Sequence, residues 1–86
     1  MSNVKLSPSA AEIQQRLLER DPAILDGAAR FKGTQVPVAT VLTYLQTGRT
    51  TEDFLRDSPA VSREQVRDLF DLARRLLFTE EELHKP

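Results

Sequence analysis

Pro37 and Gly48 constrain this chain more than any other pair of residues, because what lies between them can only be a short helix. Proline loses nothing at the first turn of a helix, and glycine takes the left-handed conformation just past its end. Within that bracket Val38, Val41, Leu42 and Leu45 recur at the i, i+3, i+4, i+7 spacing of one helical face. Gly33-Thr34-Gln35-Val36 precedes it and reads as a turn followed by an extended lead-in.

Two more helical patterns follow. Thr50 or Thr51 caps the first, Glu52 and Asp53 suit its positive first turn, and Ser58-Pro59 ends it. Phe54 and Leu55 give this helix its buried side. Ser62 caps the second, where Val66, Leu69, Phe70, Ala73, Leu76 and Leu77 make a sustained stripe that predicts the core helix. Upstream, Ser9 and Glu12 have capping-box spacing and predict a helix over about residues 8–20. Its stripe of Ala10, Ile13 and Leu17, with Leu18 beside it, is narrow and suits a helix lying on a surface. Asp21-Pro22 ends that helix. Asp26-Gly27, between Ile24-Leu25 and Ala29-Arg30-Phe31, predicts a small β-hairpin, and Gly33-Thr34 a second turn.

The expected fold class is mainly α: a helix-turn-helix three-helix unit preceded by an N-terminal helix and a small β-hairpin. Residues 1–20 form an N-terminal arm and helix, 21–78 the helix-turn-helix domain, and 79–86 an acidic C-terminal tail.

With 86 residues, the chain is one domain close to the size at which a core becomes marginal. It has no cysteine, which removes disulfides and thiolate chemistry. Twelve basic and thirteen acidic side chains leave a net charge of −1, which counts against nucleic-acid binding as the sole task. No signal-peptide pattern and no apolar run of spanning length is present, so a soluble cytoplasmic protein is expected. His84 lies in a polar tail without a base, nucleophile or metal partner, and carboxylates cluster only as sequence neighbours. No catalytic residue, metal site or cofactor is expected, and the chain is read as a non-enzyme.

In a helix-turn-helix the last helix meets base edges with its first turns. Here that helix starts Ser62-Arg63-Glu64-Gln65-Val66-Arg67, which makes Ser62, Arg63, Gln65 and Arg67 the candidate DNA contacts, with Arg49 as a phosphate contact. The same residues also fit a plain solvated face, with Arg67 and Asp71 as an i, i+4 ion pair. Arg30 and Lys32, flanking Phe31, are either a wing-like basic tip or the soluble edge of a hairpin whose Phe31 faces the core.

The order of segments is specific. D-P-A-I-L-D-G, then R-F-K-G-T-Q-V-P-V, then V-L-T-Y-L-Q-T-G-R-T-T-E-D-F-L-R-D-S-P, then a helix opened by S-R-E-Q-V resembles the domain-of-unknown-function family 433. The resemblance spans about Asp21 to Leu77, and Gly33, Thr34, Pro37 and Val38 match its turn. Gln35 stands where that pattern has arginine, Ala28-Ala29 where it has Lys-Pro, and Ser58 where it has tyrosine. The resemblance implies a homeodomain-like or winged-helix fold, a homodimer, and a role as a VapB-like antitoxin. Such an antitoxin neutralises a PIN-like ribonuclease toxin and represses its own promoter. The acidic segment Glu80, Glu81, Glu82 with Leu83 is then the expected partner-binding stretch, placed over a basic substrate groove or a metal site of the ribonuclease. The alternatives are a stand-alone helix-turn-helix regulator and a scaffold on the same fold that binds no DNA.

Overall fold

The computed structural model describes residues 9–78 and Glu82. Four helices carry it: α1 (Ala10–Leu17), α2 (Ala39–Gln46), α3 (Thr51–Asp57) and α4 (Arg63–Leu77). Between α1 and α2 lies a two-stranded antiparallel sheet of β1 (Leu18–Glu19) and β2 (Arg30–Phe31), with Leu18 opposite Phe31 and Glu19 opposite Arg30.

Local chemistry explains the helix starts. Ser9, Thr50 and Ser62 each accept from the backbone N–H three residues on, while Glu12, Asp53 and Gln65 reach back to the cap. Each capping box satisfies two orphan donors of a helix end. At the end of α2, Gly48 takes φ +84°, so the Arg49 N–H can return to the Tyr44 carbonyl at 2.9 Å.

The hairpin differs from its expected form. Helix α1 ends at Leu17, and Leu18 is already extended, so Leu18–Glu19 rather than Ile24-Leu25 becomes the partner of Arg30–Phe31. The Asp26-Gly27 turn is displaced by one residue. Leu25, Asp26 and Gly27 lie at φ +53°, +56° and +82°, one left-handed turn closed by the Gly27 N–H to the Ile24 carbonyl. The Gly33-Thr34 turn forms as expected, with Arg30 bridged to Pro37 beyond it.

The core takes residues from nearly every element: Ile13 and Leu17 of α1, Phe31 of β2, Val41 of α2, Phe54 of α3, Val61, and Val66 and Leu72 of α4. The Phe54 ring lies 6.0 Å from Phe31 and 5.6 Å edge-on to Tyr44. Three expectations are corrected here. Ile13 and Leu17 are buried, so α1 is a core helix and not one lying on the surface. Helix α2 turns Val41 and Tyr44 toward Phe54, which leaves Leu42 and Leu45 outside. In α4, Leu72 is buried although it lay off the expected stripe, while Leu76 and Leu77 are exposed.

α1 packs along α4, and α2 against α3. The Lys32 carbonyl accepts from Gln65 near the start of α4, and the Lys32 N–H donates to Leu17 at the end of α1. The two helices therefore run antiparallel. At 1.5 Å per residue, α1 covers roughly 12 Å of an α4 that is roughly 22 Å long. The last turn of α4 overhangs the body.

Candidate functional site

The start of α4 holds the side chains expected to read DNA, and most of them are already engaged. Ser62 Oγ accepts from the Gln65 N–H at 3.0 Å, and Gln65 Oε1 accepts from the Ser62 N–H at 2.9 Å. Gln65 Nε2 also donates to the Lys32 carbonyl at 3.2 Å, tying α4 to the Gly33 turn. Arg63 grips Glu52 of α3 through both terminal nitrogens, with Nη2 to Oε1 at 2.9 Å. That contact holds the Glu52 carboxyl below its ordinary range. Arg49 stacks over the Tyr44 ring, 4.4 Å from its centre, and donates to Asp57 at 3.0 Å.

Of the two readings of the basic tip, the hairpin whose Phe31 faces the core holds, and the wing is corrected at Arg30. Arg30 is buried, donating from Nη1 to the Thr34 carbonyl at 3.0 Å, with Glu19 3.6 Å from Nη2. Phe31 is fully buried beside it. Thr34 Oγ1 donates to the Phe31 carbonyl at 2.8 Å and accepts from the Val36 N–H at 3.0 Å. The Gly-Thr motif thus fastens this turn from within. Lys32 is exposed, and its Nζ donates to the Gln15 carbonyl at 2.9 Å.

The expected Arg67–Asp71 pair is not made. Asp71 accepts from Arg75 at 3.3 Å, and the neighbouring Asp68 is held by Arg16 at 3.1 Å. Arg67 and Arg74 are exposed and have no ion-pair partner among the described residues. Seven positions apart, they share the outer face of α4.

What the arrangement leaves open is apolar. Leu76, Leu77 and Phe78 are 62%, 72% and 50% exposed at the overhanging end of α4. These are three consecutive large apolar residues facing water, unlike the singly scattered ones that are normal on a surface. Periodicity alone puts Leu76 and Leu77 on the core stripe, and their exposure depends on how far α1 reaches along α4. Of the expected partner-binding residues, Glu82 is exposed, and Glu80, Glu81 and Leu83 lie outside the described residues. Among the described residues no acidic, histidine or cysteine cluster is placed to hold a metal, and no helix is long and apolar enough to cross a membrane.

A family model described as "Protein of unknown function (DUF433)" matches residues 18–73. The crystal structure of a DUF433 member protein from Anabaena variabilis ATCC 29413 aligns with a TM-score of 0.61 at 19% identity. The alignment covers 94% of this chain and 84% of that one, and at this identity it shows a shared fold. No curated protein matches the sequence. Helix α1 lies ahead of the matched residues, yet it supplies Ile13 and Leu17 to the core.

Proposed function

The chain belongs to the DUF433 family, and from that premise we propose that it is a non-enzymatic interaction module of the antitoxin type, acting in the cytoplasm. Its partner in this reading is a PIN-like ribonuclease, docked on the end of α4. The observation that carries the proposal is the exposed run Leu76, Leu77 and Phe78. Anchors of this kind bind a partner's pocket when water is excluded around them. In the sequence Glu80-Glu81-Glu82 follows after Thr79, an acidic run suited to a basic RNA-binding groove.

Co-expression with a PIN-like ribonuclease encoded beside the gene tests the reading. The wild-type protein is expected to co-purify with it in stoichiometric amount, and Leu76→Ser/Leu77→Ser to lose it while unfolding at an unchanged temperature. Equal recovery by both proteins would overturn the assignment of this surface.

Promoter repression is the second reading, favoured by one observation: Arg67 and Arg74, on the outer face of α4, have no ion-pair partner among the described residues. If they meet phosphates, each alanine substitution lowers the salt slope of DNA binding by about one unit. Unchanged slopes in both variants would remove α4 from the interface.

A further inference from the structure

We propose that the left-handed turn Leu25–Gly27 and the groove beside it form a reciprocal contact between two copies of this chain. Non-glycine residues seldom occupy the left-handed region, and Leu25 and Asp26 do so in succession at φ +53° and +56°. The result is a projecting turn with Leu25 at its tip, 48% exposed. Backbone strain of this kind concentrates where a protein binds something.

Next to the turn lies a shallow groove of about 390 Å³, lined by Ala11, Gln14, Gln15, Leu18, Glu19 and Arg20. It has room for a leucine side chain, and Ala11 and Leu18 give it apolar wall. Leu18 and Glu19 of β1 belong to this lining, and among the described residues β1 pairs only with β2, while β2 continues toward Pro37. Arg20 joins the two features: it lines the groove and donates from Nη1 to the Gly27 carbonyl at 3.2 Å. Projection and groove are therefore side by side on one surface.

Charge selects a second copy as the occupant. Asp26, on the projection, is exposed and has no ion-pair partner among the described residues. Arg20, in the groove, makes no ion pair among the described residues either, and its bond to Gly27 uses one nitrogen. Glu19, the groove's other charge, is already occupied by Arg30 and by the Gly33 N–H at 3.0 Å. A two-fold axis places each Asp26 on the partner's Arg20 and each Leu25 in the partner's groove. Such an interface closes on itself as a dimer and does not propagate. It uses none of the α4 residues of the ribonuclease reading, so either can fail without the other.

Sedimentation equilibrium of the full chain across a broad concentration series tests the contact. The wild type is expected to show a monomer–dimer equilibrium, and Leu25→Gly to weaken it by about tenfold or more. Glycine accepts the left-handed backbone, so this variant keeps its fold. Arg20→Asp alone and Asp26→Arg alone each place like charges together and are expected to be monomeric. Mixed, they should form a heterodimer, because one junction is native and the other has its charges exchanged. A wild type that stays monomeric, a dimer indifferent to Leu25→Gly, or a mixture that fails to associate would overturn the proposal.

Discussion

The two ends of α4 are built on opposite plans. Its start is polar in sequence and closed in structure: Ser62 and Gln65 cap each other, Gln65 holds the Lys32 turn, and Arg63 holds Glu52. Its end is apolar in sequence and open in structure, with Leu76 and Leu77 carrying the core-facing stripe past the last cover. Polarity alone therefore misassigns both ends. A charged side chain offers binding only if its neighbours leave it unpaired, and an apolar one joins the core only if another element reaches it.

The largest effect that sharpens this contrast lies within α4. Leu72→Ala is expected to cost about 2–5 kcal/mol, because it opens a cavity among buried neighbours. Leu77→Ala, one and a half turns later, is expected to stay within about 0.5 kcal/mol. Urea titration of the two variants checks both, and similar losses would show that the end of α4 is part of the core. At the other end, Ser62→Ala removes the side-chain acceptor of the capping box and is expected to cost about 1 kcal/mol. Arg67→Ala, with no ion-pair partner to lose among the described residues, should leave the unfolding midpoint nearly unchanged.

The smallest expected effect concerns acid. The Asp53 carboxyl is lowered from 3.8 to about 2, first by the Thr50 backbone N–H and then by Arg56. A folded-state value below the unfolded one contributes stability that is present above about pH 4 and lost as pH falls toward 2. Glu52, lowered by Arg63, acts in the same direction and loosens the α3–α4 link in acid. Unfolding temperatures should therefore fall more steeply between about pH 4 and pH 2 for the wild type than for Asp53→Ala. Parallel curves would show that the α3 capping box does not discriminate between the two protonation states.

Much of the fold was legible because its signals are local. Ser9, Thr50 and Ser62 announce helix starts by the residue three positions later, and Gly48 announces the end of α2. What escaped the sequence is tertiary. Leu18 and Glu19 continue the periodicity of α1 in sequence, yet they pair with β2 because the helix stops one residue earlier. Arg30 belongs to an apparently exposed basic tip, but the strand register turns it inward to the Thr34 carbonyl. Leu72 lies off the expected stripe and is buried because α1 packs along that side of α4. The candidate site was obscured for the same reason: the start of α4 is recognisable by composition, whereas its open end depends on the length of α1. The family motif Gly33-Thr34, legible in sequence as a turn, serves here as a fastening through the Thr34 hydroxyl and the Gly33 N–H.

Inhibition of the ribonuclease proposed as partner, measured with two paired variants, tests the contrast between the ends of α4 most directly. Wild-type protein and Arg63→Ala/Arg67→Ala are expected to suppress RNA cleavage equally, and Leu76→Ser/Leu77→Ser to lose suppression while remaining folded. Suppression lost in the arginine variant and kept in the leucine variant would contradict the account, and would return the binding function to the start of the helix.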